Sequence, residues 1–185
     1  MLLDYFIRFL RVGIARKHIP QNVVLCDLGC GPEAYLLNLL KKNLKRGIGI
    51  DKKAKEEKIG NLEIINFNIQ KRVPLPDQSV DYLTMLAALE HFIYPREVLR
   101  ECWRVLKNGG YLIITIPAPI SDLFLNFMAY KLKIIDKTEV SDHKYYFSLL
   151  QLKNILIQEG FEMIKAKKFE FGFNIFILAR KTNTI

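Results

Sequence analysis

The feature that most constrains this chain is an apolar run that stops at two glycines and a proline, with a helical pattern beyond them. The run lies within Val23–Ala34, and leucines follow it at 36, 37, 39 and 40. A short, uninterrupted apolar run is typical of a parallel strand that is buried on both faces. Glycines let the backbone approach a ligand closely, and a helix N-terminus offers free N–H groups. The segment therefore predicts a strand, a turn and a helix that form a nucleotide-binding corner.

Two acidic residues narrow the kind of ligand. Spacing alone leaves a dinucleotide open, because Gly29, Gly31 and Ala34 also fit the dinucleotide fingerprint. Asp27, however, precedes Gly29 by two residues, where a carboxylate would repel a pyrophosphate and would suit a cationic group. Asp51 ends the next apolar run, where an acid can accept hydrogen bonds from both ribose hydroxyls. Together they favour a ligand with a cationic end and an unphosphorylated ribose.

These residues carry a family resemblance. Asp27-Leu28-Gly29-Cys30-Gly31 resembles motif I of class I S-adenosylmethionine-dependent methyltransferases, and the resemblance extends over about residues 23–117. The stretch from Leu89-Glu90-His91 onward is similar to the branch of quinone-biosynthesis and small-molecule methyltransferases. The resemblance implies a methyltransferase with S-adenosylmethionine as cofactor and S-adenosylhomocysteine as product. It also implies a set of cofactor-binding residues: Asp27, Gly29, Cys30, Gly31, Asp51, Lys52, Asn68, Ile69 and Leu89.

Two positions depart from the family's pattern. Asn68 stands where the family usually has an acid that contacts the adenine amine, although its own carbonyl or the Ile69 backbone can replace that contact. Glu33 stands where the family often has a third glycine. Its charge suits a helix N-terminus but lies near the expected place of the cofactor's carboxylate. Both changes could lower cofactor affinity, and they leave open a non-catalytic module that binds the cofactor alone.

Strands alternate with helices along the chain, which predicts parallel pairing and right-handed crossovers. We therefore expect an α/β fold in which residues 1–185 form a single methyltransferase domain with a Rossmann-like, doubly wound sheet. By resemblance the sheet has seven strands and is mostly parallel, with a C-terminal reversed hairpin over about 161–170 and 174–180. Residues 52–60 predict at most a turn or two of helix, and Asn108-Gly109-Gly110 predicts the end of the helix that Pro95 begins.

Two segments are expected to border the site. Residues 1–20 contain a basic amphipathic helix, which we expect at the domain edge or over the ligand rather than on a membrane. Residues 118–147 form a lid and substrate segment by resemblance. Together the two segments are expected to make an apolar roof over the acceptor pocket. The side chains expected to form that roof are Tyr5, Phe6, Phe124, Phe127 and Met128.

Transfer of a methyl group to oxygen would also need a base. His91 and His143 are the candidates, because imidazole titrates near neutral pH. Each also has a structural interpretation, since His91 can start a helix and His143 can hold the lid by a hydrogen bond. Glu90 is expected to orient other groups rather than to take a proton.

The positive charge leaves several partners open. The net charge is +9, concentrated in lysines of 41–58 and 165–168. Such a surface can be merely solvated, or it can attract an anionic or amphipathic small-molecule acceptor, nucleic acid, or an anionic membrane in peripheral contact. An RNA methyltransferase is the alternative, although strand four ends in neither an Asn/Asp-Pro-Pro-aromatic motif nor a Pro-Cys nucleophile. We expect a lipid-like, quinone-like or sugar-linked acceptor.

Cysteine usage bears on location. Cys26, Cys30 and Cys102 have neither metal nor redox spacing, and an odd count favours a reducing compartment. The N-terminal stretch is interrupted by charges and lacks a small-residue cleavage site, so it is expected to be neither a signal peptide nor a membrane span. These features predict a cytoplasmic protein.

Overall fold

The computed structural model describes residues 2–120 and 144–182, where strands and helices alternate. Its elements, with their bounds, are α1 Leu2–Arg16, β1 Val24–Leu28, α2 Tyr35–Leu40, β2 Arg46–Asp51, β3 Glu57–Ile59, β4 Leu62–Asn66, β5 Val80–Leu86, α3 Pro95–Val105, β6 Leu106–Pro117, α4 Leu149–Gln158, β7 Phe161–Phe169 and β8 Asn174–Lys181. Short 3-10 turns add Lys41–Asn43 after α2, Leu89–His91 after β5 and Glu170–Gly172 before β8.

The strands form one sheet in the order β3-β4-β2-β1-β5-β6-β8-β7. The five strands β4, β2, β1, β5 and β6 run parallel, whereas β3 and β8 are antiparallel to their neighbours. From β1 the chain builds outward to β2 and β4, and it then returns to place β5 on the other side of β1. Ligands in such sheets bind in the crevice at this switch point, beyond the carboxyl ends of the strands.

The predicted α/β fold and its C-terminal hairpin are confirmed, but three local predictions are wrong. The sheet has eight strands rather than seven. The additional strand is Glu57–Ile59, which pairs antiparallel with β4 where a helical turn was expected. Gly109 and Gly110 lie inside β6, and α3 already ends at Val105. A Cβ at Gly110 would approach the carbonyl oxygens of Lys107 and Asp81 to 2.9 and 3.0 Å, so close backbone packing explains that glycine.

Helices cover both faces of the sheet. On one face, the apolar sides of α3 and α4 pack on the strands through buried residues such as Val98, Leu99 and Leu152. On the other face, α2 packs through Leu37, and α1 packs through Val12 and Ala15. Because the central strands are buried on both sides, they read as continuous apolar runs. Asp27 interrupts the run of β1 at its carboxyl end, which calls for a specific partner.

The segment predicted as a lid falls mostly outside the described residues, and so do His143, Phe124, Phe127 and Met128. At its C-terminal end, the N–H groups of Lys144 and Tyr145 donate to the Glu90 carbonyl at 2.8 and 3.3 Å. In the part of the chain that is described, no helix has both the length and the apolar character to span a bilayer.

Candidate active site

The turn after β1 is held between the carboxyl ends of β2 and β5, the two strands that neighbour β1 in the sheet. Gly29 and Gly31 have φ angles of +74° and +71°, which favour glycine. The Gly29 N–H donates to the Ile50 carbonyl at 2.8 Å, and a Cβ at Gly29 would lie 2.6 Å from the Cβ of Ala88. A Cβ at Gly31 would meet no described atom within 4 Å. The turn is therefore packed at Gly29 and open at Gly31, as a backbone cradle for a ligand requires.

Asp27 is a buried carboxylate with one side-chain hydrogen-bond partner among the described residues. Its side chain is on β1, and only 4% of the residue is exposed. The Thr84 hydroxyl on β5 donates to Asp27 Oδ1 at 2.6 Å. Burial raises the pKa of Asp27 to about 7, which the Thr84 hydrogen bond opposes and the charge of Asp51 reinforces. A cationic ligand group placed here would offset the desolvation cost, so the site fits an ammonium group.

Asp51 joins the end of β2 to the glycine turn. Its Oδ2 accepts from the Gly31 N–H at 3.0 Å, and its Oδ1 accepts from the Lys53 N–H at 2.7 Å. A carboxylate can accept about four hydrogen bonds, so both oxygens keep capacity for ribose hydroxyls. Asp51 thus holds the glycine turn in place and also offers hydrogen-bond acceptors to a ligand. Its position in the sequence did not predict the first of these roles.

The end of β4 brings a residue that sequence reasoning missed. Gln70 Nε2 donates to Asn68 Oδ1 at 3.0 Å, so the predicted adenine acceptor is already engaged. Gln70 Oε1 is buried without a hydrogen-bond partner among the described residues. Ile69 packs its side chain in the core, which leaves its backbone to face a ligand. The sequence signal that could have identified Gln70 as a site residue is its position, two residues beyond Asn68 at the same strand end.

The end of β5 forms the fourth wall. Ala87 has a φ of +54°, and its N–H donates to the Thr115 carbonyl at 2.8 Å. Leu89 is fully buried in the core, so its predicted contact with the cofactor would come from backbone. His91 is partly exposed on the 3-10 turn, and its N–H donates to the Ala88 carbonyl at 3.1 Å.

Two further predicted cofactor-binding residues lie at the β1 and β2 ends. Cys30 is partly buried in the glycine turn, with its Sγ 3.4 Å from the Gly31 carbonyl oxygen. Lys52 follows Asp51 and is exposed. The structure therefore brings the four strand ends together at one edge of the sheet. The predicted base His143 lies outside the described residues.

The N-terminal helix docks on the glycine turn through a basic residue. Arg8 Nη1 lies 3.0 Å from Glu33 Oε2, and its guanidinium lies over the rings of Tyr5 and Tyr35 at 4.7 and 4.9 Å. The negative charge of Glu33 is therefore paired. Tyr5 and Phe6, which were expected in the roof, are more than half exposed.

In sequence, this chain is similar to known methyltransferases. A family described as methyltransferase domain matches residues 26–114. The ubiquinone/menaquinone biosynthesis C-methyltransferase UbiE of Campylobacter jejuni is 27% identical over 195 aligned residues, which cover 89% of this chain and 81% of that protein. A demethylmenaquinone methyltransferase of Listeria monocytogenes is 39% identical over 84 residues, 44% of this chain and 34% of that protein.

A solved structure shares the fold. It is the complex between the Haloferax volcanii Trm112 methyltransferase activator and a methyltransferase. One chain of that complex superposes on this protein with a TM-score of 0.77, at 15% identity, over 95% of this chain and 91% of its own length. At that identity the likeness speaks for the fold alone.

Proposed function

We propose that this chain acts as a class I S-adenosylmethionine-dependent methyltransferase of the quinone-biosynthesis branch, and that its acceptor is a small, lipid-like molecule with a quinone-type ring. The observation that carries the acceptor proposal is the match to the Campylobacter C-methyltransferase over 89% of this chain and 81% of that protein. That match extends beyond the residues 26–114 of the methyltransferase domain and so reaches into the flanking segments that we expect to border the acceptor. A sugar-linked acceptor is the second candidate within the same class.

We propose that three strand ends hold the cofactor. Asp27 would bind its ammonium group, and Asp51 would accept from its ribose hydroxyls. The Asn68–Gln70 pair and the Ile69 backbone would face the adenine. When bound, S-adenosylmethionine supplies an electrophilic methyl group on a sulfonium sulfur. The chain's own contribution is then to position the acceptor and to exclude water, as such a transfer mainly requires.

His91 is the proposed base for an acceptor that loses a proton. It lies on the 3-10 turn after β5, three residues beyond Ala88, whose side chain faces the glycine turn. An imidazole can act as a general base for such an acceptor. His143 stays a second candidate from the sequence.

Location and partners follow from the same proposal. All three cysteines are free thiols, with Cys26 and Cys102 buried, which supports a reducing cytoplasmic compartment. The lysine-rich surface would favour an anionic or amphipathic acceptor and peripheral contact with an anionic membrane.

The test is a transfer assay with S-adenosylmethionine that carries a deuterated methyl group. The acceptor panel contains 1,4-dihydroxynaphthalene under anaerobic conditions, a phenolic glucoside and an RNA oligonucleotide, and mass spectrometry detects the label. We expect label on the dihydroxynaphthalene, and none in the Asp27→Asn variant. Label on the RNA alone would support an RNA methyltransferase instead. Binding of S-adenosylhomocysteine without any transfer would support a non-catalytic module.

A further inference from the structure

Four buried oxygen atoms beyond the cofactor-binding strand ends have no hydrogen-bond partner among the described residues. They are both carboxylate oxygens of Glu90, the hydroxyl of Thr115 and Oε1 of Glu170. Glu90 is only 1% exposed, and Thr115 is fully buried. Native proteins leave few buried polar atoms unpaired, because each one loses its hydrogen bonds to water on folding. Such a concentration at one place indicates a surface that a ligand completes.

These groups lie where β5, β6 and β8 meet. Glu90 is on the turn after β5, two residues beyond Ala88, which packs against the glycine turn. Thr115 on β6 pairs with Leu86 on one side and with Phe176 on the other. Glu170 is on the turn that precedes β8. The unpaired oxygens therefore lie beside the cofactor-binding strand ends rather than within them.

Arg11 of α1 ties the two carboxylates into one cluster. Its Nε and Nη2 donate to Asn174 Oδ1 at 3.2 and 3.1 Å, and Asn174 Nδ2 donates to Glu170 Oε2. Burial raises the pKa values of Glu90 and Glu170, and the charge of Arg11 opposes the shift at both. The charge of Arg11 therefore acts on both carboxyls, and hydrogen bonds through Asn174 also link Arg11 to Glu170.

We infer that this acceptor cluster, Arg11, Glu90, Thr115, Glu170 and Asn174, binds the methyl acceptor through hydroxyl groups on it. The inference rests on the proposed function. Whether a carboxyl of the cluster is ionised or protonated, at least one of its oxygens can only accept a hydrogen bond, and a ligand hydroxyl can donate to that oxygen. A ring with two hydroxyls offers two donors, whereas a ring with carbonyls or ethers in their place offers none. Glu90 is the central binding residue, because both of its oxygens are unpaired.

The experiment compares two probes by calorimetry on the protein saturated with S-adenosylhomocysteine. One probe is 1,4-dihydroxynaphthalene, kept anaerobic, and the other is 1,4-dimethoxynaphthalene, which has the same ring without donors. We expect the wild-type protein to bind the dihydroxy probe at least about tenfold more tightly. Glu90→Leu should remove about that whole preference, and Thr115→Val should reduce it about threefold.

Stability supplies a second readout. Glu90→Leu replaces an unpaired buried carboxyl with an apolar side chain of similar size, so its Tm should be equal to or above that of the wild type. A purely structural Glu90 would instead give a lower Tm. Glu97→Leu is the matched control, because Glu97 is an exposed residue of α3, and its probe affinities should stay within about twofold of the wild type.

Two results would overturn the assignment. One is an unchanged affinity of Glu90→Leu for the dihydroxy probe, and the other is equal binding of both probes by the wild type. If Glu90→Leu does not fold, the Thr115→Val variant tests the proposal by itself. A Thr115→Val variant that keeps the wild-type preference for the dihydroxy probe would refute acceptor binding at this cluster. If the wild type fails to bind S-adenosylhomocysteine, the proposed function itself fails. The two failures are therefore distinguishable.

Discussion

The carboxylates at the carboxyl edge of the sheet fall into two groups, one with hydrogen-bond partners in the protein and one with few or none among the described residues. Toward β1 and β2, on what we name the cofactor side, Asp27 accepts from Thr84 and Asp51 accepts from two backbone N–H groups. Toward β5 and β8, on the acceptor side, the carboxyl oxygens of Glu90 have no hydrogen-bond partner among the described residues, and the Glu170 side chain uses one oxygen. The first arrangement holds its carboxylates in place before a ligand arrives. The second leaves acceptor atoms for the ligand to pair.

This difference fits two kinds of ligand. A cofactor always presents the same groups, so rigid prepaired carboxylates raise affinity by removing the cost of ordering them. An acceptor defines the reaction's specificity, and unpaired buried groups reject a molecule that cannot supply their hydrogen bonds. The comparison predicts that substitutions on the cofactor side lower the affinity for every cofactor analogue. Substitutions on the acceptor side should lower the affinity only for methyl acceptors that carry hydrogen-bond donors.

The largest effect is expected at Asp27. Asp27→Asn keeps the shape of the side chain but removes the charge that would face the ammonium group. We expect affinity for S-adenosylhomocysteine to fall by about 100-fold, measured by calorimetry at pH 8. Asp77→Asn, which changes an exposed carboxylate, is the control and should leave affinity unchanged. Binding within threefold of the wild type would show that Asp27 does not contact the cofactor.

The raised pKa of Asp27 gives a pH dependence with a definite sign. A proton on Asp27 must leave before a cation binds, so affinity for S-adenosylhomocysteine should weaken about tenfold per pH unit below about 7. The folded protein favours the protonated form. Stability should therefore fall as pH rises from 3.8 toward 7, by on the order of 4 kcal/mol.

Asp27→Asn checks both parts of that dependence. Its affinity should be flat with pH. Its Tm should exceed that of the wild type at pH 8 and match it near pH 4, because the amide mimics the protonated acid. A wild-type affinity that does not change between pH 5 and 8 would contradict the assignment.

Asp51 and Asn68 allow a comparison within the cofactor side. Asp51→Ala removes the expected ribose acceptors and also the partners of the Gly31 and Lys53 N–H groups. We expect about 30-fold weaker binding of S-adenosylhomocysteine, and only about twofold for Asn68→Ala, whose neutral contact neighbouring groups can replace. Calorimetry on both variants measures this, with Tm as the control for folding. Equal losses, or the reverse order, would show that the adenosine lies elsewhere.

The sequence was sufficient for the fold class and for the placement of Asp27 and Asp51 at neighbouring strand ends, because both depend on local patterns. The apolar run before Gly29, the acid two residues upstream of it and Asp51 at the next strand end are spaced by backbone geometry that any such sheet repeats. Local patterning also explains the start of α4, where Ser148 and Gln151 form a reciprocal capping box.

The acceptor side was not predictable in the same way. Arg11, Glu90 and Glu170 are far apart in the chain and come together only through the packing of α1 and the turn before β8 on β6. Nothing in the sequence around Glu170 distinguishes it from a surface acid. The edge strand β3 was missed for a related reason, since three exposed residues carry no apolar alternation and are held by pairing with β4.

A smaller effect is expected at Gln70, whose buried Oε1 would accept from the adenine amine. Gln70→Met keeps the volume but removes the acceptor, and should weaken S-adenosylhomocysteine about fivefold. S-inosylhomocysteine, which lacks the amine, separates this contact from general packing. The wild type should bind it more weakly than the adenosine ligand, and Gln70→Met should bind both alike. If Gln70→Met keeps the wild-type preference, the amine is recognised by other groups.

The smallest effect tests whether Glu33 opposes the cofactor's carboxylate. Arg8 and Glu33 form an exposed pair at 3.0 Å, so the pair itself should contribute less than about 1 kcal/mol to stability. Arg8→Ala exposes the charge of Glu33 and should weaken S-adenosylhomocysteine about threefold, whereas Glu33→Ala frees Arg8 and should strengthen it by a similar factor. The affinity of the Arg8→Ala/Glu33→Ala double variant should return close to that of the wild type.

Salt supplies the control for this cycle. The differences in affinity between these variants and the wild type should shrink in 1 M salt, because exposed charges are screened over about 3 Å there. Calorimetry at two salt concentrations measures the cycle. If Arg8→Ala weakens binding equally with and without Glu33, the arginine acts directly on the ligand and the pair has no regulating role.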